Sequence, residues 1–272
     1  MPELPEVETI RGQLVKYLRG HRIEAIQILT AKSFPGDKEK LIGGRVVDMR
    51  RFGKVLVGDL DNGYSFLVHL KLTGQLIYDG EKLHNQPNNL TRVIFTLDKK
   101  ARLFFNDSRK FGWIKTEKTS EVEKESFIKK LGPEPFGLTP VAFGAILATT
   151  RRPVKVFLLD QEKISGVGNI YANDALWLAR IHPGRPANSL NTSERSELLK
   201  ALQEVLEKGI KYQGASDQWY LTAEGKKGSY QDHFLTYGKQ GVLCPRCQKA
   251  KFIRTVLGGR GTFFCPNCQK KQ

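Results

Sequence analysis

All four cysteines of the chain lie near its C-terminal end, in Cys244-Pro-Arg-Cys247 and Cys265-Pro-Asn-Cys268, with 17 residues between the pairs. No other feature constrains the fold as tightly. Each CxxC turn directs two thiolates at one tetrahedral metal, so the spacing reads as one structural zinc site built on two knuckles. Two redox-active CxxC motifs are the alternative, but neither pair opens the helix of a βαβ unit. Four cysteines over 272 residues are too few for a disulfide-stapled secreted fold. Between the knuckles, residues 251–256 and 261–264 read as the strands of a hairpin, with Gly258-Gly259-Arg260-Gly261 at its tip. From residue 237 onward there are eight Lys or Arg and no Asp or Glu. A zinc-held hairpin of that charge suits a phosphate backbone, although zinc ribbons that only mediate protein contacts share the cysteine pattern.

The basic excess extends to the whole chain, whose formal charge is +16. A polyanion is the expected partner; a lysine-rich surface that only aids solubility is the other reading. No apolar run approaches the roughly 18 residues of a membrane span. The start, MPELPEVETI, lacks the basic n-region and apolar h-region of a signal peptide, so a reducing cytoplasm is expected.

Val7, Ile10, Leu14 and Leu18 recur at helical spacing and predict a helix over residues 3–18, with Pro5 in its first turn. From about residue 22 to 117 the texture changes to short runs at 22–29, 55–60, 64–70, 92–97 and 102–105. Gly43-Gly44, Asp61-Asn62-Gly63, Thr73-Gly74 and Asp98-Lys99-Lys100 break them as turns. This spacing predicts a β-sandwich or barrel. The Pro- and Gly-rich stretch 131–138 reads as a linker, after which helical period returns. Asn191 and Glu194 form a capping-box pattern before a stripe of Leu198, Leu202, Val205, Leu206 and Ile210. Residues 213–230, polar and dotted with Gly, read as a mobile loop.

The N-terminus carries possible chemistry of its own. Initiator methionine is usually removed before a small second residue, which would leave Pro2 with a secondary amine. Its pKa near 8 leaves an appreciable unprotonated fraction at neutral pH. Such an amine condenses with a sugar C1′ to an iminium, an electron sink that acidifies the neighbouring C–H. Glu3 would stand beside it to move protons. The plainer reading is that Pro2 and Pro5 shape a helix start and the glutamates favour its dipole.

MPELPEVET, Asp107-Ser-Arg-Lys-Phe-Gly112, Leu131-Gly-Pro-Glu-Pro135, the segment from Pro153 to Asp160, Gly166-Val-Gly-Asn-Ile-Tyr-Ala172 and the terminal four-cysteine finger occur in that order. Together they resemble the bacterial formamidopyrimidine-DNA glycosylases over essentially the whole chain. Leu4, where the related endonuclease VIII branch usually has Gly, favours the formamidopyrimidine branch.

The resemblance implies an α+β multidomain fold: an N-terminal β-sandwich with a leading helix (1–131), a helix–two-turn–helix domain (132–236) and a zinc-finger hairpin (237–272), with DNA in a cleft. It implies that Pro2 is the nucleophile, Glu3 the acid/base and Glu6 a support for the amino terminus. Lys54, Asn169 and Arg260 match residues that grip phosphates around an extruded nucleotide, with His69 and Lys155 as further contacts. A lone His in an apolar strand such as His69 is equally at home packed in a core. Excising a base requires extruding it from the stack and filling the gap. Arg109 and Phe111 match the family's void-filling residues, and Leu72 stands where a methionine is usual. Asp174 replaces the family's usual Glu, and Gly214-Ala-Ser-Asp217 replaces a Gly-Gly-Thr-Thr-like run in the loop that caps the extruded base. Trp219 and Tyr220 there either stack on a base or pack on their own domain.

The implied activity is that of a monomeric, bifunctional glycosylase and abasic-site lyase. It would excise 8-oxoguanine and formamidopyrimidines from bacterial duplex DNA through a Schiff base and β,δ-elimination, with one structural zinc held by Cys244, Cys247, Cys265 and Cys268. An endonuclease VIII-like enzyme for oxidised pyrimidines and a non-catalytic zinc-bearing DNA-binding protein are the alternatives.

Overall fold

The structure, a computed structural model, describes residues 1–81, 84–217 and 219–271. The chain divides into two compact units: residues 1–130 with 209–231, and residues 131–208 with those from 232 onward.

In the first unit, α1 (Leu4–Leu18) leads into eight strands: β1 (Ile23–Ile28), β2 (Val46–Phe52), β3 (Val55–Leu60), β4 (Tyr64–His69), β5 (Gly74–Asp79), β6 (Thr91–Leu97), β7 (Arg102–Asp107) and β8 (Trp113–Lys118). A short α2 (Ser126–Lys129) follows. The strands form two antiparallel sheets, ordered β1-β6-β7-β5 and β2-β3-β4-β8. Their inner faces share one core, to which β6 gives Val93, Phe95 and Leu97 and β4 gives Phe66 and Val68. The predicted face of α1 enters the same core, with Val7, Ile10, Leu14 and Leu18 all buried. Val55, Val57 and Leu67 cover the outer face of the second sheet under Val122 and Ile128. With both faces covered, β3 is buried throughout, and its one charged residue, Asp59, is paired with Arg50 of β2 at 2.6 Å. Gly58 is required beneath Phe66, whose ring would lie 2.1 Å from a Cβ there.

The second unit contains α3 (Pro140–Ala148), α4 (Val154–Leu158), α5 (Asn169–Leu178), most of α6 (Thr192–Lys211) and the hairpin of β9 (Ile253–Leu257) and β10 (Arg260–Phe264). The capping box before α6 is present: Glu194 N–H donates to Asn191 Oδ1 and Asn191 N–H to Glu194 Oε2, both at 2.9 Å. Leu198, Leu202, Val205 and Leu206 are buried as their spacing predicts, while Ile210, at the last turn of the helix, is only half-buried. The hairpin turns on Gly258 and Gly259, at φ of 56° and 72°, the left-handed pair that a two-residue turn of matching twist needs.

Residues 213–230 depart from the expectation of a mobile loop, apart from residue 218, which lies outside the described residues. They have little regular structure but are seated in the first unit, with Ala215, Tyr220, Thr222 and Ala223 buried. Ala223 N–H donates to Gln13 Oε1 at 2.8 Å, and Tyr78 N–H donates to Ala223 O at 2.8 Å, extending the backbone pairing of β5. Among the described residues no helix is long and apolar enough to cross a membrane.

Candidate active site and metal centre

Pro2 and Glu3 lie at the entrance to α1, and both are buried. Glu3 caps the helix and shares a capping box with Glu6. Glu6 is itself buried. Its Oε2 accepts from Glu3 N–H at 2.7 Å and its Oε1 from Ala215 N–H at 2.8 Å, so one carboxylate ties the chain start to the returning 209–231 segment. Tyr220 closes this corner: its hydroxyl donates to Glu6 O at 3.4 Å, and burial, with the Glu6 charge next, holds its pKa well above the ordinary tyrosine value. The adjacent aromatic behaves differently. Trp219 is 47% exposed, while its carbonyl accepts from Gln75 Nε2 at 2.6 Å. Its neighbour is core and Trp219 stands at the surface on a fixed backbone.

Lys54 occupies the tight turn between β2 and β3, after Gly53 at a φ of 54°. His69 ends β4, packed in edge or tilted geometry on Trp113 and Phe127 at 5.7 and 5.5 Å. Its Nδ1 accepts from Lys71 N–H at 3.0 Å. Burial, with Lys71 and Lys54 adding repulsion, lowers its pKa to about 3, so the ring is neutral at physiological pH. This geometry makes His69 a support for the 70–73 turn. That turn carries the half-buried Leu72; Arg109 and Phe111 stand exposed on the turn after β7.

In the second unit, Asn169 is the first residue of α5, where helix N–H groups favour an anion, and Arg260 is exposed at the start of β10. Lys155 differs from its expected phosphate contact. It is fully buried, and its Nζ donates to Gly261 O at 2.7 Å and Thr262 Oγ1 at 2.8 Å. Its charge holds the hairpin against α4 and is not presented to solvent. Asn173 completes that junction, accepting from Phe263 N–H at 2.8 Å and donating to Asn169 O at 2.6 Å. It ties the first residue of α5 to β10, and the α5 motif that carries the resemblance stops one residue short of it. Asp174, fully buried, accepts from the N–H groups of Leu235, Thr236 and Tyr237 at 2.8–3.1 Å and from Thr236 Oγ1 at 3.2 Å. Burial raises its pKa against the pull of these four donors, and the net lies above the ordinary carboxylate value.

The four cysteine sulfurs all lie within 4.8 Å of one another. Cys244 Sγ is 3.8 Å from Cys268 Sγ, and Cys247 Sγ is 3.7 Å from Cys265 Sγ. A tetrahedral zinc with Zn–S bonds of about 2.3 Å requires sulfurs about 3.8 Å apart, so the residues fit that ion. The chemistry agrees: hydrogen bonding led by the Lys249 amide brings Cys247 down to about 6, while burial and the neighbouring sulfurs push Cys268 up to about 12. Four sulfurs at this spacing ionise together only around a cation. Arg246, inside the first knuckle, donates to Trp177 O at 2.7 Å and Leu178 O at 3.2 Å, and its guanidinium lies 4.0 Å from the Trp177 ring centre. The knuckle thereby caps the C-terminus of α5.

A profile described as the formamidopyrimidine-DNA glycosylase N-terminal domain matches residues 1–114, and one for the H2TH domain of the same enzymes matches 131–220. A third, for a zinc finger found in FPG and IleRS, matches 251–271, which holds the second cysteine pair; folding brings the first pair to it. The formamidopyrimidine-DNA glycosylase of Desulfitobacterium hafniense is 38% identical over 276 residues, covering 99% of this chain and all of its own. That of Moorella thermoacetica is 41% identical over 254 residues, covering 91% and 92%. The crystal structure of MutM (FPG) from Thermus thermophilus superposes with a TM-score of 0.90 at 35% identity, over the whole of both chains. A Lactococcus lactis Fpg bound to DNA containing an abasic site gives 0.90 at 32%, covering 99% of this chain and all of that one. At such identity and coverage, the chain belongs to the formamidopyrimidine-DNA glycosylase family.

Proposed function

We propose that the chain is a DNA glycosylase of base excision repair that removes oxidised purines, 8-oxoguanine and formamidopyrimidines, and then cuts the strand as an abasic-site lyase. The observation that carries this reading is the Glu6 bridge, which fixes Glu3 and the start of α1 as a chemical centre would need. Once Met1 is removed, the Pro2 nitrogen attacks C1′ of the damaged nucleotide. The base departs with the glycosidic electron pair and takes up a proton, while Glu3 protonates the opening sugar at O4′. The resulting iminium acidifies C2′–H, whose loss expels the 3′-phosphate; a second elimination expels the 5′-phosphate, and water releases Pro2.

Lys54, Asn169 and Arg260 hold phosphates of the partner duplex, and Leu72, Arg109 and Phe111 occupy the space the extruded base leaves. A zinc ion on Cys244, Cys247, Cys265 and Cys268 is structural: it fixes the hairpin bearing Arg260. Borohydride reduction in the presence of a duplex containing 8-oxoguanine tests the scheme. A covalent adduct whose mass-spectrometric map falls on Pro2 is expected; an adduct on a lysine overturns it.

A further inference from the structure

The turn that carries Leu72 and the turn that carries Arg109 and Phe111 are far apart in sequence but adjacent across the sheet, because Gly74 and Asp107 are register partners of β5 and β7. Each turn contains a lysine in the left-handed region, Lys71 at φ 52° and Lys110 at φ 55°. A non-glycine side chain rarely adopts that conformation and needs surroundings that hold it there. The surroundings here are specific. Asp107 is fully buried and receives three donors: Gly112 N–H at 2.7 Å on Oδ2, Arg109 N–H at 3.1 Å on Oδ1, and the Thr73 hydroxyl on Oδ1. Thr73 Oγ1 in turn accepts from Arg109 N–H at 3.1 Å. The first turn is closed further by Gly74 N–H donating to Leu70 O at 2.9 Å, with no room for a Cβ on Gly74, whose nearest atom would be Leu70 O at 2.4 Å.

We propose that Thr73 and Asp107 are positioning residues that join the two turns into one pre-organised wedge, so that Leu72, Arg109 and Phe111 enter the duplex as a unit. The inference rests on the void-filling roles proposed above for those three side chains. Neither Thr73 nor Asp107 touches DNA in this scheme. Their hydrogen bonds remove the freedom that three separate side chains would otherwise lose on insertion, and pre-organisation of that kind strengthens binding only where insertion occurs.

The test is a ratio. Affinity is measured, at one salt concentration, for a duplex bearing a tetrahydrofuran abasic analogue and for the same duplex undamaged, with 2-aminopurine beside the analogue to report unstacking. Thr73→Val deletes the hydroxyl at nearly constant volume and should cut the preference for the analogue about tenfold and shrink the 2-aminopurine signal. Thr73→Ser, which keeps the hydroxyl, should retain both. The ratio compares two duplexes on one folded protein, so a general loss of stability cancels; Asp107→Asn, at a fully buried site, serves as a second variant where it folds. An unchanged preference in Thr73→Val, or equal losses for both duplexes, overturns the coupling. Phe111→Ala separates the layers: if it too leaves the preference intact, the wedge assignment itself fails.

Discussion

The guanidinium of Arg109 lies 4.9 Å from the centre of the Phe111 ring, so the two exposed side chains of this turn stack on each other. Lys32 Nζ approaches the same ring at 5.9 Å. A cation over an aromatic face contributes about 0.5–1 kcal/mol at such exposed sites. The ring is 47% exposed, so little of its surface is spent on a core. Phe111→Ala should therefore leave the melting temperature nearly unchanged while slowing single-turnover excision of 8-oxoguanine at least tenfold. Thermal melts beside quenched-flow kinetics check both halves.

His69 supplies a pH prediction. Burial, with repulsion from Lys71 and Lys54, puts its folded pKa at about 3, below the ordinary 6.5. Between those values the unfolded chain binds the extra proton, so stability rises with pH. The contribution is complete above about pH 6.5 and is lost as pH falls toward 3, by about 2 kcal/mol at pH 5. Urea titrations of the wild type and His69→Gln from pH 7.5 to 5 should show the gap between them narrowing. A constant gap would mean that the ring titrates normally.

Asp174 gathers three backbone N–H groups and a hydroxyl at a fully buried carboxylate. Asp174→Ala leaves those donors without an acceptor and should cost about 2–4 kcal/mol of stability. Asp174→Asn, which keeps one acceptor oxygen, should cost less. Denaturant unfolding of the zinc-loaded protein measures both.

Metal removal should act on the hairpin. Stripping zinc with a strong chelator frees four thiols for titration and releases β10, which presents Arg260. Affinity for abasic-analogue DNA should fall at least a hundredfold at constant ionic strength and return on adding zinc. Full affinity in the metal-free protein would assign the phosphate contacts elsewhere.

The features legible in the sequence were those set by neighbours along the chain. The buried face of α1, the Asn191–Glu194 cap and the glycine turn between β9 and β10 follow from spacings of a few residues. β2 was harder to read, because Asp48, Arg50 and Arg51 interrupt its apolar pattern; Arg50 and Arg51 form ion pairs with Asp59 and Glu8 across the fold. The hidden features depended on partners that the fold supplies. The resemblance places Lys155 at a phosphate, yet Gly261 and Thr262 bury its ammonium. The polarity of residues 213–230 suggested a free loop. Their seats at Glu6 and Gln13 lie roughly two hundred residues upstream, beyond any local pattern.

That distant return has a consequence for biogenesis. The sandwich core contains Tyr220 and Ala223 as well as residues from the first hundred or so positions. As the ribosome releases the chain from its amino end, the strands emerge early but their packing stays unfinished until α6 has been translated. A fragment ending near residue 130 should expose the seat of those two side chains and invite aggregation. A useful minimal version of the first unit would graft residues 209–231 behind that point with a short linker.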